Sequence, residues 1–216
     1  MIVPLIRKEI RLEFRQKSTL GGVLIYITGT IFTSALCFAG KVDKPTWNAL
    51  FWVITLFTSV TISGKSFLKE TGGQALFNYL HYPPSKFIIA KMLYNMAFMV
   101  TLSLITFVFY SFFIAAEVGN PSLFLFVLLL TSSGLAAVLS LMSAIAAKAG
   151  SGFALMSILS FPVAMPLILV SVKLSKLAMD GIEWAGVNPQ YFIILIALNL
   201  LTATLAYLLF PYLWRD

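Results

Sequence analysis

Apolar residues fall into six long runs separated by short polar segments. The runs extend roughly from Thr19 to Gly40, Pro45 to Ser63, Ile88 to Ala116, Pro121 to Ala147, Gly152 to Val172 and Pro189 to Leu213. Crossing the hydrocarbon of a bilayer takes about 20 mostly apolar residues in a helix, and each run meets that length. Lys91, close to the start of the third run, is the one Asp, Glu, Lys or Arg inside any of them, as expected where a charge in mid-bilayer is costly. Helices satisfy their backbone hydrogen bonds internally, which lipid requires of a spanning segment. Strands of a barrel would instead be about 10 residues of alternating polarity. The pattern therefore predicts an all-α membrane protein with six transmembrane helices, a single domain over residues 1–216.

Two polar segments have periodicities of their own. At 100° per residue, Ile2, Val3, Ile6, Ile10 and Phe14 share one face of an N-terminal helix over residues 1–18, and Arg7, Lys8, Arg11 and Arg15 share another. That arrangement predicts an amphipathic helix lying in the membrane interface. Anchoring to anionic lipid explains it, and a docking surface for a cytoplasmic partner is the further role it fits. Lys173 to Asn188 is expected to form a short surface helix, with Leu174, Leu177 and Ala178 apolar and Lys176, Asp180 and Glu183 polar. Trp184, Tyr191, Trp47, Tyr207, Tyr212 and Trp214 are read as headgroup-belt residues.

Composition agrees: the chain is 60% hydrophobic and 11% charged, where soluble domains carry about 25% charge. The formal net charge of +7 raises nucleic acid as a partner, but the distribution of the basic residues excludes it. Arg7, Lys8, Arg11, Arg15, Lys17, Lys65, Lys69, Lys86, Lys91, Lys148 and Arg215 fall on one side of the predicted topology. Lys41, Lys44, Lys173 and Lys176 fall on the other. By the positive-inside rule both termini and the segment 63–91 are expected in the cytoplasm. The first run is as long as a full span, so it reads as an uncleaved anchor and not as a secretory signal. Cys37 is the only cysteine, so no disulfide can form within the chain.

Small residues mark the fourth and fifth runs. Ala136, Ser140 and Ala144 recur at intervals of four, Gly134, Ser143 and Gly150 lie nearby, and Pro162 and Pro166 are expected to interrupt the fifth helix. Such spacing lets helices approach closely, and proline favours a kink. Packing accounts for the pattern; a gating or translocation surface is the other role it fits.

Few residues could carry chemistry. Gly64-Lys65-Ser66 imitates the end of a phosphate-binding loop, but Ser59 stands where the pattern needs glycine, and an apolar helix precedes it where a strand should. His81 is the sole histidine, so a multi-histidine metal site is out of reach. Met142, Met156 and Met165 read as packing residues and not as soft-metal or haem ligands. The eight carboxylates sit mainly in loops and at the termini, which leaves no acid–base constellation. Ion-coupled transport usually buries ionisable residues near the midplane, and Asn95 and Asn199 are weak substitutes. No enzyme activity, metal or cofactor is expected of the chain, and energy for any transport would come from another subunit.

The polar segment from Ser63 to Lys91 stands out as the place where the membrane part meets something soluble. It carries Lys65, Lys69, Glu70, Gly72, Gly73, Pro83, Pro84 and Lys86. Three stretches resemble the CcmB family, the membrane permease subunit of the ATP-binding-cassette (ABC) complex of cytochrome c maturation. They are the basic start (Leu5-Ile6-Arg7-Lys8-Glu9 and Phe14-Arg15), the segment Phe67 to Lys91, and Gly134 to Leu169. In the second, Phe67, Glu70, Gly72, Leu76, Pro83, Pro84 and Ala90-Lys91 match. Many family members have an acidic pair before the glycine, where this chain has Lys69-Glu70.

The resemblance implies an ABC exporter-type permease in the bacterial inner membrane, paired with a separate CcmA-like ATPase. It also implies a CcmC-like haem-handling protein, a CcmE-like haem chaperone and a second copy of the chain as partners. ATP hydrolysis would drive haem export or release of the loaded chaperone. The expected ATPase-coupling residues are Phe67, Lys69, Glu70, Gly72, Gly73, Leu76, Phe77, Pro83 and Pro84, in a short elbow bent at the paired glycines. The rival readings are an ABC permease exporting a lipid, polysaccharide or drug, and a scaffold with no transport role.

Overall fold

A computed structural model describes residues 2–15, 17–68, 83–150 and 152–215, with side chains described outside 2–3, 12–20, 63–68, 84, 152 and 213–215. Among the described residues the fold is all-helical with no strands. Seven α-helices follow in order: α1 (Ile2–Arg15), α2 (Lys17–Cys37), α3 (Lys44–Leu68), α4 (Pro84–Phe113), α5 (Pro121–Lys148), α6 (Gly152–Met179) and α7 (Pro189–Arg215). A 3₁₀ turn, Trp184–Gly186, lies between the last two. The ends of α3 to α7 fall into two sets. The near end holds the start of α4, the end of α5 and the end of α7; the far end holds the α2–α3, α4–α5 and α6–α7 connections.

Five helices are long and apolar enough to cross a bilayer: α3 to α7. In α2 the apolar stretch is shorter, Gly21–Cys37, so length and composition support five spans outright and leave α2 as the sixth expected one.

α5 is the central helix. Seventeen of its residues are buried, and α3, α4, α6 and α7 all pack on it. Small residues make this possible. Ala136, Ser140 and Ala144 are buried as the spacing predicts, and a Cβ on Gly134 would run into the Leu167 side chain and into the Asn199 amide at 2.9 Å. α2 is peripheral: Ile25 and Leu36 are 74% and 67% exposed, and added Cβ atoms on Gly21, Gly22 or Gly29 would touch nothing within 4 Å.

The helix boundaries follow local chemistry. Asn120 caps α5, its side chain accepting from the Leu123 N–H at 3.1 Å, and Pro121 occupies the first turn. α4 starts at a Pro83-Pro84 pair, where Pro83 is extended (φ −62°, ψ 135°) and its carbonyl accepts from the N–H groups of Lys86 and Phe87. Gly181 ends α6 with φ +80°, a left-handed conformation that glycine adopts without strain.

Three expectations change. Pro162 and Pro166 do not break the helix: both are exposed and α6 runs continuously through them. The buried face Met156, Ser160, Ala164, Leu167, Ser171 and Leu174 is on the other side, so the prolines do not disturb the packing. The separate surface helix over 173–188 is absent, because that buried periodicity continues unbroken through Ala178 and Met179. Trp47 is no belt residue. It is fully buried, stacked on Phe51 at 5.7 Å and packed against Tyr110 at 4.7 Å.

Candidate functional site

At the near end, α3 and α4 lead into and out of residues 69–82. Lys69, Glu70, Gly72, Gly73, Leu76 and Phe77, and with them His81, lie outside the described residues. Phe67 falls in the last turn of α3 and Pro84 in the first turn of α4. Pro83 is exposed immediately before α4.

α1 forms over the predicted residues but docks differently. Its anchor is Leu5, 2% exposed, in a cluster with Phe87, Ile88, Ala144 and Phe210 from the near ends of α4, α5 and α7. Ile10, predicted on the apolar face, is 41% exposed, while Ile6 packs at the cluster margin. The periodicity identified the helix but not the residue that holds it, since Leu5 lies about 100° round the wheel from Ile6, off the predicted apolar face. Arg7 and Arg11 are exposed and Lys8 half-buried; Phe14 and Arg15 lie in α1 with side chains outside the described set. α1 therefore bears directly on the first turns of α4.

Lys91 sits two turns into α4, 1% exposed, with its ammonium 5.5 Å from the centre of the Phe87 ring. A ring face attracts a cation, so Phe87 favours Lys91 while also packing against Leu5. One turn further, the Asn95 amide donates to the Ser140 hydroxyl at 2.7 Å, joining α4 to α5. Asn199 accepts from Ser133 at 3.1 Å and so joins α7 to α5. These two asparagines link helices.

The far end is clamped by polar groups in the apolar core. The Trp47 indole N–H donates to the Ile114 carbonyl at 2.8 Å, and the Tyr110 hydroxyl donates to the Trp47 carbonyl at 3.1 Å. Together they tie α3 to α4. The Trp52 indole N–H donates to the Ser175 hydroxyl at 2.7 Å, Ser175 donates to Asn48 at 2.8 Å, and the Asn48 amide donates to the Val172 carbonyl at 2.9 Å. These tie α3 to α6. The Lys44 ammonium reaches the Met179 carbonyl at 2.9 Å, and the Asn120 N–H reaches the Ala178 carbonyl at 2.8 Å. Gly119 and Gly181 pass so closely that a Cβ on Gly119 would come within 2.5 Å of the Gly181 Cα.

Charge divides between the ends. At the far end Lys41, Lys44, Lys173 and Lys176 are exposed beside Asp43, Glu117, Asp180 and Glu183, a balanced set. The near end exposes Arg7, Arg11, Lys86 and Lys148. Among the described residues no three His, Cys, Asp or Glu side chains converge as a metal site. What the arrangement offers is mechanical: two long helices that lead into and out of residues 69–82 at the near end and are bonded to each other at the far end.

The family described as CcmB protein matches residues 1–213. The chain belongs to the CcmB family. Comparison with curated proteins finds no match. CcmB membership makes this chain a permease-type, multi-pass membrane component of the haem-export ABC system of cytochrome c maturation. The match includes both the α1 sequence and the 63–91 segment.

Proposed function

We propose that this CcmB subunit is a passive lever, driven through the Phe67 to Pro84 elbow by a separate CcmA-like ATPase in the inner membrane. Both termini and the elbow lie in the cytoplasm in this reading, α1 rests at the interface and α2 completes six spans. Glu70 pairs with a basic residue of the ATPase, while Phe67, Leu76 and Phe77 supply apolar contact. Lys69 stands beside Glu70 at the rim, and Gly72-Gly73 sets the bend. Closure of the ATPase pair pushes the elbow and tilts α3 and α4. Two copies of the chain make the pair of membrane halves, working beside CcmC-like and CcmE-like haem-handling proteins, with release of the loaded chaperone or export of haem as the output.

What supports the reading is the Trp47–Tyr110–Ile114 clamp. Helices bonded at one end and joined through residues 69–82 at the other convert a push on that segment into a tilt about the clamp. The charge division supports the orientation, since the positive end is the one expected in the cytoplasm.

The test is Glu70→Arg combined with Phe77→Ala. The variant is expected to lose co-purification of the ATPase and to abolish cytochrome c maturation while still inserting in the membrane. Retention of both would refute the coupling role. Loss of ATPase binding with c-type cytochromes unaffected would point to export of another cargo.

A further inference from the structure

Buried hydroxyl side chains in this bundle commonly bond to the carbonyl four residues earlier in their own helix, as those of Thr55, Ser59, Thr106, Thr131 and Ser171 do. Four do not. Among the described residues, the buried hydroxyl oxygens of Thr58, Ser103, Ser111 and Ser132 have no hydrogen-bond partner. Thr58 lies in α3, Ser103 and Ser111 in α4, and Ser132 in α5. The unmade bonds thus fall on the two helices that flank residues 69–82 and on the central helix they pack against. The opposite contact of α5, with α6, is closed: Thr131 and Ser171 bond each other at 2.6 Å.

Ser103 and Ser132 are opposed in register. The Asn95 amide donates to the Ser140 hydroxyl at 2.7 Å, and Phe107 stacks on Phe124 with ring centres 5.0 Å apart. Along α4, Ser103 lies between Asn95 and Phe107; along α5, Ser132 lies between Phe124 and Ser140. At 100° per residue, each serine also lies between those two contact residues around its own helix axis. The antiparallel register of α4 and α5 therefore brings the two serines level to within one turn. Ser103 is 3% exposed and Ser132 0%, so solvent does not satisfy either hydroxyl, and each unmade bond is destabilising. The Asn95–Ser140 link is made, whereas its counterpart eight residues away along each helix is not.

We propose that Ser103 and Ser132 form a latch, open in the arrangement described here and closed by a hydrogen bond between the two hydroxyls when α4 tilts. The inference rests on the lever reading of α3 and α4. Tyr110, in the far-end clamp, is seven residues from Ser103, about 10 Å along the helix. A tilt of about 10° about Tyr110 moves Ser103 by roughly 2 Å relative to α5, enough to bring a neighbouring hydroxyl into bonding distance. The bond exists in the tilted state only, so it biases the bundle toward that state. Thr58 shares a face of α3 with Phe51, which meets both Phe107 and Phe124, so a tilt of α3 changes its neighbours too.

Disulfide trapping in the assembled complex tests the latch, using Ser103→Cys with Ser132→Cys in a Cys37→Ser background. Cys37 is exposed, so its replacement leaves the packing intact. In a parallel sample, spin labels at Lys86 and Lys148 report whether the near end has moved. On trapping the ATPase with nucleotide, the cross-linked fraction is expected to rise several-fold and the near-end distance to shift. A shifted near end with an unchanged cross-linked fraction would overturn the latch and leave the lever standing; no change in either would remove both. Ser103→Ala with Ser132→Ala supplies a second measurement. It is expected to keep the ATPase bound, to melt no lower than the unaltered chain without nucleotide, and to reduce the ratio of tilted to resting molecules about fivefold under nucleotide. A lower melting temperature without nucleotide would show the hydroxyls already bonded in that state, and an undiminished tilted population would show that they contribute nothing to the other; either result overturns the proposal.

Discussion

Trp47 combines ring packing with a hydrogen bond that crosses from α3 to the end of α4. Its ring meets Phe51, Tyr110, Phe107 and Phe124, and its N–H holds the Ile114 carbonyl. Trp47→Ala removes the ring and strands that carbonyl, and is expected to cost about 3–5 kcal/mol, read as a fall in thermal stability in detergent. Glycines differ among themselves in the same quantitative way. A Cβ on Gly119 meets backbone of Gly181, which has no rotamer to yield, whereas a Cβ on Gly29 meets nothing. Gly119→Ala is therefore expected to destabilise by about 1–3 kcal/mol and Gly29→Ala to be neutral or slightly stabilising. Equal thermal shifts in the two variants would contradict this account of the far-end packing. From sequence, Trp47 was indistinguishable from a belt residue, because a tryptophan near the end of an apolar run has the same neighbours in either role. Only the partners brought by α4 and α5 decide it, and they are sixty or more residues away.

At the scale of elements, α1 is joined to the bundle by Leu5. Leu5→Ala is expected to cost about 2–5 kcal/mol of local docking and to expose the α1 backbone to protease, while Ile10→Ala, at a 41% exposed position, is expected to change little. Equal protease sensitivity would show that α1 is held by lipid and not by the bundle. Most elements were legible from apolar run length alone, and α5 was recognisable by its small residues at intervals of four. Boundaries were less so. α3 extends to Leu68 and α4 begins at Pro84, past the apolar limits, because a helix continues through polar residues once it leaves the hydrocarbon. α6 illustrates the converse: Lys173 and Lys176 suggested an end to the span, yet both are exposed while Leu174, Ser175 and Ala178 keep the buried face going. Proline propensity misled about continuity, since α6 runs unbroken through Pro162 and Pro166, both on its exposed side.

For the whole molecule, the distribution of charge and the distribution of polar bonds divide the bundle in a compatible way. The balanced far end carries the indole, tyrosine and asparagine bonds that fix α3 against α4 and α6. The positive near end carries α1 and the two helices leading to residues 69–82. Basic-residue counts made that polarity readable from the sequence. The clamp was not readable, because Asn48, Trp52 and Ser175 have no spacing that announces their meeting, and their separation of more than 120 residues is bridged only by the fold. The coupling residues were found by resemblance and by their setting between charge-free runs, whereas the residues proposed to form the fulcrum came from the structure.

Pulsed electron paramagnetic resonance on the assembled complex tests the lever most directly, with one pair of spin labels at Lys86 and Lys148 and a second at Lys41 and Glu117. On trapping the ATPase with nucleotide, the near-end distance is expected to shift and the far-end distance to stay constant. A fixed near-end distance, or an equal shift at both ends, would contradict a helix pair tilting about a clamped far end.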